Sequence, residues 1–234
     1  MAIAFGADSG RQVAVATSLT YAFTTAGSDR QLRVGCLVTS NTISTVTYNG
    51  VSASQIATTA ADSGVTIFTY GLIAPATGSN NVVITATGST VLVSHSVYYT
   101  GVNQTTLTDG TAGVQTGSGN FTQSVTTVAD NCWAILYCRN GISNMAAGSA
   151  TTARSSADDN MWFDSNSAKT PAGSVTLAVT SVTGAYGSII ESISPFVAAS
   201  SLVKTANGLA NASVKTFDGL ANASTKTVDG LTNV

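Results

Sequence analysis

The chain has 234 residues, of which only 9% are charged and 44% are hydrophobic, with a formal net charge of −2. A typical soluble domain carries about 25% charged residues, so Ser, Thr, Asn and Gly must supply most of the polar surface, and no basic cluster offers nucleic acid a face. The frequent Val, Ile, Thr and Tyr exclude wholesale disorder, and no run of about 18 apolar residues could span a bilayer as a helix.

The first residues, MAIAFGADSGRQ, lack the basic start and long apolar stretch of a secretory signal. For an unprocessed chain this predicts maturation in the cytoplasm. From Gln12 to about Phe196, short β-rich runs alternate with Gly, Asn, Asp and Ser punctuation, the spacing of an all-β sandwich or barrel. Strands are predicted near QVAVA, TYAFTT, LRVGCLVT, STVTYNG, VTIFTYGLI, NVVITAT and VLVSHSVYYTGV, then TQSVTTV, CWAILYC, NMWFDS, SVTLAVT and GSIIESISP. Pro75, Pro171 and Pro195 fall at run ends, where a missing ladder donor costs least.

A period of two is clearest in two of these runs. Leu32, Val34, Cys36 and Val38 share one face, and Val91, Val93, His95, Val97 and Tyr99 share another. Such half-buried strands predict one sheet packed on a second, an antiparallel two-sheet sandwich over residues 1–198. CWAILYC is apolar almost throughout and predicts a strand buried on both sides. Cys36, Cys132 and Cys138 are odd in number and sit in apolar runs, which suits buried free thiols better than disulfides.

Few residues offer chemistry. His95 is the only histidine and stands on an apolar-alternating face, with Ser94 and Ser96 turned the other way, so a satisfied core histidine fits better than a catalytic one. Glu191 is the only glutamate, whereas glycoside hydrolysis needs two carboxyl groups flanking the bond. Asp158, Asp159 and Asp164 gather in SSADDNMWFDSNS, where oxygen ligands could hold calcium; their spacing does not match a calcium-binding loop, and solvated turns suit them better. Trp162 beside Asp158 and Asp159 gives a candidate glycan contact, or an ordinary strand residue facing the core. No catalytic residue, metal ligand or cofactor site is predicted.

The last 36 residues, 199–234, differ from the rest. Three units repeat at eleven-residue intervals, beginning at Lys204, Lys215 and Lys226. Asn207-Gly208, Asp218-Gly219 and Asp229-Gly230 carry the strongest two-residue hairpin signal, because a type I′ turn needs positive φ at both central positions. Turns there would leave nine-residue strands about 30 Å long. The same period also suits three helical turns of about 3.67 residues, with Leu209, Ala212, Thr216, Leu220, Ala223, Thr227 and Leu231 in one stripe. A glycine in every unit and abundant Thr, Asn and Ser argue for strands. Large apolar side chains here include Leu209, Val214, Phe217, Leu220, Val228 and Leu231. They are too few for a core of their own, so they are expected to pack on an identical tail or on a larger assembly.

The succession VTYNGVSASQIAT, IFTYGLIAPATGSNNVVITATGS and VYYTGVNQTT resembles β-sandwich modules of bacteriophage structural proteins and large microbial surface proteins. Repeats of the K-x-x-N-G-L-A-x-A-S-V-K kind are similar to ones in the same group. The resemblance spans roughly Leu19 to Pro195 and implies a jelly-roll or lectin-like sandwich with a repetitive extension. It implies a virion surface protein made in the host cytoplasm, such as a head decoration, fibre or tail component. Its partners would be other virion proteins or copies of itself, a trimer by analogy with fibrous viral proteins. The alternative it implies is a glycan-binding or adhesin module on a microbial cell surface.

Overall fold

The computed structural model describes residues 1–62, 64–141, 145–155 and 159–197, together with six two-residue strands between 205 and 232. The chain divides into two compact units, Met1–Phe196 and Val197–Val234. The described residues are all-β, without a helix, and their sheets are antiparallel.

In the first unit the strands are β1 (Ala4–Asp8), β2 (Gln12–Thr25), β3 (Gln31–Thr39), β4 (Ile43–Tyr48), β5 (Val51–Ser52), β6 (Ser54–Ala60), β7 (Val65–Ile73) and β8 (Gly78–Thr100). There follow β9 (Gly113–Ser118), β10 (Phe121–Thr126), β11 (Trp133–Asn140), β12 (Ala146–Ala147), β13 (Thr152–Ala153), β14 (Asn160–Asp164), β15 (Ser174–Thr180) and β16 (Ala185–Ile193).

The first eight form one sheet in the order β5-β4-β8-β3-β7-β6, and β1 and β2 run in succession along the other side of β8. β8 spans 23 residues because it turns a corner. Tyr21 opposes Val82 in the ladder, yet its hydroxyl lies 2.8 Å from Ser94 Oγ and 2.6 Å from Ser96 Oγ. Phe23 opposes Asn80 and its ring packs 6.0 Å from that of Tyr98. The β2–β8 ribbon therefore doubles back near Gly88, where β2 has a register shift between Ala16 and Ser18, the bulge that such a bend requires.

Folding one sheet onto itself encloses the first core. Val82, Ile84, Ala86, Leu92 and Tyr98 of β8 line it with Leu19, Tyr21 and Phe23 of β2 and with Leu32, Val34, Cys36 and Val38 of β3. The opposite face of β3, β7 and β8 supplies Leu37, Ile67, Val93, Val97 and Tyr99 to a second core, against Trp133, Ile135, Tyr137, Trp162 and Ile189. Those residues belong to the sheet β13-β14-β11-β16-β9. Its far face adds Leu136, Cys138, Met161, Phe163 and Ile190 to a third core, closed by Phe121, Val125, Leu177 and Val179 of the small sheet β10-β15-β12.

Three sheets thus pack together in this unit where the sequence pattern predicts two. The additional one is the small sheet β10-β15-β12; separately, Gly88 reads as punctuation between NVVITAT and VLVSHSVYYTGV, but the chain passes through it within one strand. The expectation for CWAILYC holds, since Trp133, Ile135 and Tyr137 face the second core and Ala134, Leu136 and Cys138 the third. Burial of a side chain such as Ile135 or Leu136 is worth about 1.5–3 kcal/mol.

The second unit contains β17 (Thr205–Ala206), β18 (Leu209–Ala210), β19 (Thr216–Phe217), β20 (Leu220–Ala221), β21 (Thr227–Val228) and β22 (Leu231–Thr232). They pair antiparallel as Ala206 with Leu209, Phe217 with Leu220, and Val228 with Leu231. The predicted turn residues Asn207, Gly208, Asp218, Gly219, Asp229 and Gly230, and the apolar Val214, lie outside the described residues.

Candidate functional site

The candidate glycan contact at Trp162 is not on the surface. Trp162 has 0% exposure, its indole N–H donates to the His95 carbonyl at 2.9 Å, and its ring lies 4.9 Å from that of Tyr137. A ring so enclosed cannot stack on a sugar, so the glycan contact is corrected and the other reading, a strand residue facing the core, holds. The physical reason is that β14 is covered on both faces. Asp159 is engaged by Arg139 and lies 3.4 Å from Arg11 Nε, and Asp158 lies outside the described residues.

Two other acids are buried in the second core. Ile135 on β11 opposes Asp164 on β14 and Glu191 on β16, which places both carboxyls on one face, two strand spacings or about 10 Å apart. Glu191 pairs with Arg33 Nε at 2.8 Å, and neither side chain is exposed. Arg33 also donates to the Leu107 carbonyl. Asp164 accepts from Arg154 Nε at 2.6 Å, from the Tyr99 hydroxyl at 3.0 Å and from the Asn166 amide at 2.9 Å. Arg154 in turn stacks over the Phe5 ring at 4.6 Å.

Burial raises both carboxyls above the ordinary range, and the facing guanidinium of each pulls the value part of the way back. Each acid is occupied by its own arginine and shielded from solvent, so the arrangement joins the first sheet to the second and presents no carboxyl to a substrate. Arg33 and Arg154 are absent from the residues singled out in sequence. Arg33 sits in an apolar run but 158 positions from its partner, and no local pattern links the two.

The three cysteines are free and buried. Burial, then the neighbouring Asp109, pushes the Cys132 thiol up to about 12, and burial raises Cys36 and Cys138 further. These thiols stay protonated, a poor state for a nucleophile or a ligand. Among the described residues, no three His, Cys, Asp or Glu side chains gather closely enough to hold a metal ion.

The surface has a shallow hollow of about 410 Å³ lined by Thr47, Asn49, Gly50, Ser79, Asn80, Asn81 and Val83. Asn49 and Gly50 form its rim as a two-residue turn between Tyr48 and Val51, both with positive φ, the type I′ geometry that Asn-Gly favours. The Asn49 amide donates to the Asn81 carbonyl at 3.0 Å, tying the turn to β8. Asn80 Nδ2 is held by the Thr77 carbonyl at 3.1 Å and the Gly78 carbonyl at 3.3 Å. Every lining side chain is uncharged, so the hollow offers neutral donors and acceptors only.

A second surface feature is apolar. Val13, Val15 and Val91 are 48%, 76% and 36% exposed, and Val15 opposes Val91 across the β2–β8 ladder.

No family model, curated protein or solved structure matches this chain.

Proposed function

We propose that the chain is a non-enzymatic structural protein of a phage-like virion, displayed on the particle exterior as a head decoration, fibre or tail component. The body serves as the displayed part, a sandwich of the jelly-roll or lectin-like kind, and the C-terminal repeats anchor or oligomerise it. Its partners are other virion proteins or copies of itself, with a trimer as the working stoichiometry.

The observation that carries this reading is the second unit. Its strand pairs begin at Thr205, Thr216 and Thr227, three copies at one interval, and each holds two paired residues on each side among the described residues. Hairpins this short are not stable alone in water, and repetition gives a matching surface many equivalent contacts. The body supports the reading through its surface, which is weakly charged while its strongest ion pairs lie inside.

Light scattering on the full chain and on a version ending at Ala198 tests it. The expected result is a defined oligomer that falls to a monomer on truncation. Two monomers, with no binding of the full chain to candidate particles, would sink it.

A second reading, a carbohydrate-binding or adhesin module of a microbial surface, draws support from the neutral hollow beside Asn49 and Asn81. Uncharged amides and hydroxyls are the groups that meet sugar hydroxyls without a charge penalty. A glycan array probed with the full chain and with Asn81→Ala separates the two readings. Binding lost in the variant favours the sugar, and a blank array favours the particle.

A further inference from the structure

The folded-back half of the first sheet turns its apolar side chains to the first core and the residues between them outward. The ladder sets the outward residues in rows. Ser18 of β2, Thr85 of β8 and Thr45 of β4 form one row. Thr20, Val83, Thr47 and, on β5, Ser52 form the next. Ala22 and Asn81 follow. The second row crosses four strands, three spacings or about 14 Å. Its middle residues, Val83 and Thr47, line the hollow beside Asn49.

Two properties set these rows apart from a face that is merely wet. No charged residue stands on β2, β4 or β5, or on β8 from Gly78 to Gly88. Among the described residues, the side-chain hydroxyls of Ser18, Thr20, Thr45, Thr47 and Ser52 and the Asn81 amide meet no partner within the protein. On the small sheet, by contrast, the Ser124 and Thr176 hydroxyls bond to each other at 2.7 Å. The rows therefore hold a set of unspent neutral donors and acceptors around one half-buried apolar side chain, Val83.

A pyranose ring matches that set on both counts, with hydroxyls around its rim and a C–H face that packs on methyl groups. A hydroxyl or amide both gives and accepts, so it satisfies a sugar hydroxyl whichever way that hydroxyl is turned. An anionic ligand would lose its hydration here and meet no cation in exchange. A protein partner would look for aromatic or arginine anchors, or for an open strand edge, and these rows supply neither. Resting on the second reading above, we propose that the ligand is an unbranched, uncharged polysaccharide. It lies across the strands from Thr20 to Ser52, with one ring in the hollow against Val83 and its neighbours on the hydroxyls at either side. The rows belong to the body alone, so they can serve a particle-borne protein as well as one on a cell surface.

Calorimetric titration of the full chain tests the site, with neutral glucose, mannose, galactose and N-acetylglucosamine oligomers from single rings to hexamers, and with heparin as the charged control. In at least one series, affinity is expected to rise about tenfold from the shortest sugar that binds to the hexamer, with no dependence on salt. Thr20→Glu and Ser52→Glu, both at exposed ends of the row, should each remove that gain and leave the shortest sugar bound as before. Thr122→Glu, at an exposed position of β10, should change nothing. Binding that does not grow with length, or that grows equally in Thr20→Glu and Ser52→Glu, overturns the extended site and leaves the hollow as a small-sugar site. Tighter binding of heparin overturns the uncharged ligand. No binding in any series overturns both this proposal and the second reading, and leaves the particle reading in place.

Discussion

The inner and outer strands of the body are built by different rules. In β10 and in residues 18–25 of β2, buried and exposed positions alternate without a break. In β3, β11, β14 and β16 nearly every position is buried. An outer strand needs one apolar face and can leave its polar side chains in water. An inner strand has no such outlet, so its buried ionisable groups are held by partners: Arg33 and Glu191 pair across the interface of the first and second sheets, and Asp164 accepts from the Tyr99 hydroxyl across the same interface.

If that contrast is right, the largest effect comes from breaking an inner pair on one side. Glu191→Ala leaves Arg33 charged and enclosed and should destabilise the body by about 3–5 kcal/mol, read by denaturant unfolding. Replacing both partners with apolar residues, Arg33→Met with Glu191→Leu, should recover most of that loss. A single variant costing under about 1 kcal/mol would mean that the pair is open to water. The next largest effect probes packing alone. A Cβ on Gly35 would come within 2.5–2.6 Å of the Tyr137 ring, so Gly35→Ala should cost about 1–3 kcal/mol.

The same interior acids set a pH dependence with an uncommon sign. Burial raises Glu191 and Asp164 in the folded chain, so from the ordinary carboxylate value of about 4 upward to their raised values the native state binds more protons than the unfolded state. Stability then falls as pH rises through that window and is regained on acidification. Mild acid should therefore hold or raise the unfolding midpoint relative to neutral pH, and Glu191→Gln with Asp164→Asn should flatten the curve. A midpoint that drops steadily from pH 7 to pH 5 would contradict the inward placement of these acids.

What the sequence reveals follows the same division. The alternation of Leu32, Val34, Cys36 and Val38 is visible in the sequence and marks the face that lines the first core. The continuous apolar run at CWAILYC is equally visible. Arg33 hides the second buried face of β3, because an arginine inside a strand suggests solvent until its partner at Glu191 is placed beside it. Gly88 conceals the corner of β8 for a similar reason: a glycine marks a turn or a bend alike, and only the contact of Tyr21 with Ser94 tells which. Trp162 next to two aspartates suggests a surface site, but its strand is covered by two sheets brought from elsewhere in the chain.

The smallest effect is the sharpest test of the contrast, because one substitution can be made on both sides of it. Val97 on β8 is fully buried in the second core, and Val97→Thr puts a hydroxyl there at a cost of about 1–3 kcal/mol. Val15 on β2 has nearly the same shape and a similar strand backbone, but it is 76% exposed, so Val15→Thr should stay within about 0.5 kcal/mol in either direction. A Val15 variant as costly as the Val97 one, with a change in solution mass, would mean that the Val13, Val15 and Val91 patch is covered in solution and that β2 is an inner strand of an assembly.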